Sequence, residues 1–331
     1  ISFGATNVIA GLRVERTEFD TTGKELDLVN ETTRSTTASH SYTNWLPGLY
    51  LRHDLNSNLV LRASWSNSLA RPNFGDTANR SRINEDDGEI FIGNPTLATL
   101  ESTNWDASVE YYLPSLGMVS ASVFLKQIDN FSYEITIPGG DPVAARGYDL
   151  TTFRNGSEGD IRGLELAYQQ QLRFLPAPFD GIGVLANITF ADSDATYPTR
   201  PGEDVRFIGQ SDRVGNVGLT YEKSGFFARL AMNFRTERLR EDEPLGGNVD
   251  EDFWVDDFNQ LDLSLRYRFN RQWTIYADII NLTDEPFRVF RKTGSLPDRL
   301  GQLEELTGAI VFLAGKASSL MTGSALVLDG G

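Results

Sequence analysis

The chain has 331 residues, a formal net charge of -16, a pI near 4.6 and no cysteine. That acidity excludes nucleic acid as a partner, because phosphate binding needs clustered Lys and Arg. The lack of cysteine excludes disulfides and thiolate metal sites, leaving only His40 and His53 as imidazole ligands.

No apolar run approaches the roughly 20 residues that a membrane helix needs, but barrel strands are shorter and only half apolar. Ile1 opens the chain with no signal peptide before it, which points to a truncated or processed N-terminus.

Taken in chain order, period-two alternation dominates. Segments 7–17, 45–54 and 59–67 alternate first. In Asn104–Leu113, Trp105, Ala107, Val109 and Tyr111 share one face, and Asn104, Asp106, Ser108 and Glu110 share the other. Val119, Ala121, Val123 and Leu125 follow, opposed by Ser120, Ser122 and Lys126. Segments 161–171, 182–192, 214–223 and 226–236 repeat the pattern, and Leu261–Phe269 and 273–281 close it. The sum is about eleven strands, each near the roughly 9–11 residues that cross a bilayer obliquely.

Connection lengths separate this from a soluble sandwich. Short turns at Asn56–Asn58, Pro114–Gly117, Lys223–Gly225 and Asn270–Gln272, with a longer one at Arg173–Gly181, alternate with long polar segments. The long ones are Asp20–Ser41, Leu69–Ser102, Asp129–Gly159, Ser193–Asp212 and Glu237–Asp257. Transmembrane barrels show this asymmetry, and compact soluble domains rarely carry five long loops at one end. The faces agree. Leu261, Leu263 and Leu265 face one way, whereas Asp262, Arg266 and Arg268 face the other, where they would ruin a dry core but suit a wet or plugged lumen. The expected fold is all-β: a partial antiparallel transmembrane β-barrel over 1–292, with a short αβ C-terminal tail over 293–331.

The motifs resemble a TonB-dependent receptor over about residues 5–290. They are Ser68-Leu69-Ala70-Arg71-Pro72-Asn73-Phe74, Gly93-Asn94-Pro95-Thr96-Leu97, Glu101-Ser102-Thr103-Asn104-Trp105-Asp106, Gly163-Leu164-Glu165-Leu166, Gly209-Gln210-Ser211 and Asn281-Leu282-Thr283-Asp284-Glu285. Proline at Arg71-Pro72 ends a strand, and Asn281-Leu282-Thr283-Asp284 can hydrogen-bond its own backbone. The resemblance implies uptake of a nutrient such as a carbohydrate oligomer or ferric siderophore, with no covalent chemistry. It also implies an outer-membrane location, contact with outer-membrane lipid, and coupling to the TonB energy-transducing complex through a plug domain absent from this chain.

From about Pro297 the pattern changes. Leu303, Leu306, Ile310 and Leu313 fall at helical spacing, and Ser324–Leu328 reads as a short strand. Arg299-Leu300-Gly301, Val311-Phe312-Leu313-Ala314, Thr322-Gly323 and Asp329-Gly330-Gly331 resemble the C-terminus of short-chain dehydrogenase/reductases. That family's catalytic Tyr-Lys pair is missing, and no dinucleotide glycine pattern follows a strand and opens a helix. The readings left open are a receptor-transporter, a reductase by its tail only, and a non-functional truncated fusion.

No catalytic, cofactor or metal residues are assigned. The acidic runs Asn84–Glu89, Glu241–Glu243 and Asp250–Asp252 read better as solvated loops than as Ca²⁺ sites. Arg235, Arg238 and Arg240 could meet an anionic ligand or pair with neighbouring acids, and Phe253 and Trp254 could stack on a ligand or pack internally. These five are the candidate ligand-binding residues.

Overall fold

The computed structural model describes residues 1–27, 32–78, 80–114, 116–142, 147–241, 243–291 and 298–300. β1 (Ser2–Phe3), β2 (Thr6–Asp27), β3 (Thr32–Asp54) and β4 (Leu59–Ala70) open the chain. A single helical turn, α1 (Phe74–Thr77), and short strands β5 (Ser81–Asn84) and β6 (Glu89–Ile92) lead to β7 (Leu100–Leu113) and β8 (Gly117–Asp129). β9 (Ser132–Ile137) and β10 (Asp149–Asn155) precede β11 (Glu158–Gln171), β12 (Ile182–Ala195), β13 (Arg213–Lys223) and β14 (Phe226–Arg235). β15 (Arg238–Leu239), β16 (Phe253–Val255), β17 (Phe258–Arg268), β18 (Thr274–Ile279), β19 (Phe287–Arg291) and β20 (Asp298–Leu300) complete the order.

Twelve of these form one antiparallel sheet, in the order β1-β2-β3-β4-β7-β8-β11-β12-β13-β14-β17-β18. After the short β1, its eleven members fall on the eleven segments predicted from alternation. Neighbours in sequence are neighbours in space, so the long connections all lie at one end of the sheet.

The register turns alternation into two continuous surfaces. One row runs Val8, Leu51, Ala63, Ala107, Val123, Leu164 across six strands. Another runs Val184, Leu219, Leu230, Leu263, Ile279 across five. The opposite face carries Arg62, Ser108, Ser122 and Glu165 in one row, and Arg229, Ser264 and Asp278 in another. Leu263 and Leu265 thus share the apolar face, and Asp262 and Arg266 the polar one. Polar side chains also bond along the wall: Asn216 Nδ2 donates to Asn187 Oδ1 at 3.0 Å, and Asn233 Nδ2 to Asp262 Oδ2 at 3.2 Å.

No second sheet covers the apolar face among the described residues, and Val123, Leu219 and Ile275 are 53%, 50% and 60% exposed. An uncovered apolar band of this size fits the lipid-facing side of a transmembrane barrel. The buried core lies elsewhere, in the long connections. Phe131, Tyr133, Ile135, Tyr197, Val205, Leu239 and Trp254 cluster there with Ile128 and Ala195.

The structure corrects one loop. Asp20–Ser41 was expected to be irregular, yet β2 and β3 stay paired from Asp20↔Ser39 to Asp27↔Thr32. Ser and Thr on both faces of this ribbon hide its period, because a solvated hairpin has no apolar side to display. Of the tail, only Asp298–Leu300 is described, pairing antiparallel with β19; the helix and strand expected further on lie outside the described residues.

Candidate functional site

Four of the long connections fold on one another. β10 pairs antiparallel with β9 and parallel with β6, which pairs with β5, joining the second and third connections into a four-stranded sheet. An isolated bridge between Ile135 and Leu245 adds the fifth connection. The fourth enters through Tyr197, whose ring meets Phe131 and Tyr133 edge-on at centroid distances of 5.0 and 4.9 Å. The Tyr197 hydroxyl donates to the Arg206 carbonyl and accepts from the Ile208 N–H, both at 3.3 Å. Burial pushes its pKa well above the ordinary phenol value.

An ion pair completes the tie. Arg200 Nη1 donates to Asp252 Oδ2 at 2.6 Å, and both side chains are 2% exposed. Glu203 takes the other side of the same guanidinium at 2.6 Å. Burial opposes the Arg200 charge, but the two carboxylates outweigh it and its pKa is raised. Asp252 also accepts the Gly246 N–H at 3.2 Å. The acidic runs therefore serve local structure: Asn84 bonds Asp87 within the β5–β6 hairpin, and Glu251 accepts the Gly247 N–H at 2.9 Å.

The five candidate residues separate into three environments. Phe253 and Trp254 are adjacent on β16 and so point to opposite sides. Trp254 enters the loop core at 5% exposure, with the Arg206 guanidinium over its ring at 5.3 Å. Phe253 lies under Arg291 at 4.2 Å and lines a cleft of about 940 Å³ with Arg82, Glu89, Glu134, Glu243 and Glu251. Arg240 belongs with that side, since its guanidinium lies 3.6 Å from Glu243 and its N–H donates to the Phe253 carbonyl.

Arg235 and Arg238 stand apart at the mouth of the polar face. Arg235 ends β14 on the same face as Asn233, and its guanidinium covers the ring of Phe258, its direct partner on β17, at 5.0 Å. Its charged surroundings are Arg238 and Glu241. Arg238 Nε donates to Glu241 Oε1 at 3.4 Å. Arg235 Nε and Arg238 Nη1 are buried and have no hydrogen-bond partner among the described residues. Phe258 escaped the sequence reading, because its role depends on a register partner 23 positions away.

The sequence motifs find local reasons. Asn281 caps the end of β18 with φ +56°, donating Nδ2 to the Glu285 carbonyl at 3.0 Å and accepting the Glu285 N–H at 2.7 Å. Arg71 reaches across β3 to Glu15 at 2.5 Å, anchoring the strand that Pro72 ends.

Among solved structures, the copper transporter OprC is similar at 16% identity and TM-score 0.64, over 90% of this chain and 44% of that one. The ferric-catecholate import receptor Fiu of E. coli K12 is similar at 13% identity and TM-score 0.58, over 86% of this chain and 39% of that one. The ferric enterobactin receptor PfeA of Pseudomonas aeruginosa is similar at 17% identity and TM-score 0.54, over 77% and 38%. The chain thus spans about two fifths of the length of these structures, and identities so low speak to the fold alone. No curated protein matches the chain. The family described as TonB dependent receptor-like, beta-barrel, matches residues 1–282, and with that span covered the chain belongs to it.

Proposed function

We propose that this chain supplies barrel wall and outer loops to an outer-membrane receptor that takes up a small anionic nutrient, a ferric siderophore in preference to a neutral carbohydrate oligomer. One observation carries the choice of ligand charge: the partnerless, buried N–H groups of Arg235 and Arg238 at the mouth of the polar face. An orphaned buried donor costs about 1–3 kcal/mol, and more when charged, so such a pair is poised for an anionic acceptor. The similar receptors for ferric enterobactin and ferric catecholates handle ligands of that chemistry. Uptake would proceed by movement of a plug coupled to the TonB complex, with the polar face of the wall lining the route.

The test uses the full-length receptor carrying this segment, titrated with ferric citrate, ferric enterobactin and a neutral maltooligosaccharide by intrinsic fluorescence. Arg235→Gln and Arg238→Gln should each weaken binding of the anionic chelates about tenfold or more, or roughly 1.4 kcal/mol. Tight binding of the neutral sugar alone, unaffected by either substitution, would overturn the reading.

A further inference from the structure

One connection at the turn end of the sheet is longer than the others and carries two phenylalanines. Between β11 and β12 the chain runs Leu172-Arg173-Phe174-Leu175-Pro176-Ala177-Pro178-Phe179-Asp180-Gly181. Phe174 and Phe179 are 64% and 55% exposed, and nothing in the described chain covers them. This is no slack loop. Leu172 N–H donates to the Ile182 carbonyl at 2.8 Å, Leu175 N–H to the Leu172 carbonyl at 3.0 Å, and Phe179 N–H to the Pro176 carbonyl at 2.9 Å. Ordered apolar side chains left in water are costly, so a fixed turn that exposes two phenylalanines implies an apolar surrounding.

The turn is fastened toward one face. Asp180 pairs with Lys223, which follows Val217, Leu219 and Tyr221 at the same alternation on β13 and so belongs to the apolar side. Gly181 packs so closely on the Glu222 carbonyl that an added Cβ would approach it to 2.7 Å. Around this end of the apolar face stand other aromatics. Tyr221 and Phe226 lie 6.1 Å apart, Tyr267 and Phe269 meet edge-on at 4.6 Å, and Trp273 is 67% exposed. Aromatic rings at this level are the signature of the membrane–water interface.

We propose that the 172–181 turn is a lipid anchor: Phe174 and Phe179 insert into the periplasmic-side leaflet as a continuation of the wall's apolar face. The inference rests on the wall being membrane-embedded, and it adds a contact that alternation along the strands does not provide. Its occupant is phospholipid. The peptide groups of a turn cannot enter hydrocarbon without partners, so the hydrogen bonds within this turn set the depth at the headgroup–acyl boundary.

This segment carries no cysteine, so single-cysteine labelling needs only that any cysteine elsewhere in the full-length receptor first be replaced by serine. Single cysteines at Phe174→Cys and Phe179→Cys in the full-length receptor are labelled with a nitroxide and reconstituted in phosphatidylethanolamine–phosphatidylglycerol vesicles. Ser57→Cys gives the aqueous reference in a polar turn, and Leu263→Cys the bilayer reference. Samples are first checked for folding by heat-dependent electrophoretic mobility. The ratio of oxygen to nickel-chelate collision at both sites should exceed that at residue 57 several-fold. A ratio equal to that at residue 57 at either site overturns the anchor and leaves those rings to a periplasmic protein or to water. An aqueous ratio at residue 263 would instead remove the membrane-embedded wall, and the anchor with it, so the two failures are distinguishable.

Discussion

At Gly163 one added methyl group meets two obstacles at once. The residue pairs directly with Phe124 on β8, and its Cβ would stand 2.4 Å from the Phe124 ring and 2.4 Å from the Phe190 carbonyl oxygen. A ring can swing aside, but a ladder carbonyl cannot. Gly163→Ala is therefore expected to destabilise the folded barrel by about 1–3 kcal/mol, read from the urea midpoint in lipid vesicles. An unchanged midpoint would mean that the strand yields. The faces of β17 make a second prediction at this scale. Leu263→Arg places a charge among Leu230 and Ile279 on the lipid side and should cost about 2–4 kcal/mol near the midplane. Ser264→Arg, between Arg229 and Asp278 on the polar side, should cost far less. Equal penalties would reverse the assignment of faces.

Among the elements, the wall strands were readable from sequence because each borders lipid on one side and water on the other. Leu261, Leu263 and Leu265 against Asp262 and Arg266 display that contrast in a few residues. Where both faces meet water the contrast vanishes, which is why the ribbon from Asp20↔Ser39 to Asp27↔Thr32 read as loop. Some strands in the connections are too short to show a period: β15 has two residues and β16 three. Tyr133, Ile135 and Ile137 of β9 do alternate, and were passed over inside a long polar segment. Of the candidate site, residue types were readable and groupings were not. Trp254 and Phe253 are neighbours in sequence yet serve the core and the cleft respectively.

The tie between the fourth and fifth connections was equally hidden, since 52 residues separate Arg200 from Asp252. Asp252→Ala would leave the Arg200 charge buried with Glu203 as its remaining carboxylate. The expected cost is about 3 kcal/mol, at the low end for breaking a buried pair. Trypsin should then cut the loop assembly faster at Arg206 and Arg240. The double replacement Arg200→Leu with Asp252→Leu should recover most of the protection, because it leaves no unpaired charge buried and Glu203, already 42% exposed, turns to solvent. If the single variant resists trypsin as well as the unmodified protein does, the ion pair is not what holds these connections together.

For the molecule as a whole, two solvents explain the distribution of residues. The wall has no interior of its own: its apolar face is uncovered among the described residues, and its polar face carries the charged and amide side chains. The outer connections bury a core around Tyr197 and Trp254 as a small soluble domain would. Of the C-terminal residues read from sequence as reductase-like, Asp298–Leu300 pair with β19 and the rest lie outside the described residues. A dinucleotide site needs a parallel strand that turns through closely spaced glycines into a helix, whose N-terminus receives the pyrophosphate. The helical segments described here are four residues at Phe74–Thr77 and three at Phe179–Gly181. The sequence offers no such glycine turn, and no tyrosine has lysine four positions later. The tail could supply at most a last helix and strand to a sheet that must come from elsewhere. Titration of NADH or NADPH into this chain should accordingly leave nicotinamide fluorescence unsaturated at any accessible concentration. Removing residues 297–331 should change neither that result nor chelate binding at Arg235 and Arg238 in the full-length receptor. Saturable nicotinamide binding that disappears with the tail would show that the reductase-like segment retains a function of its own.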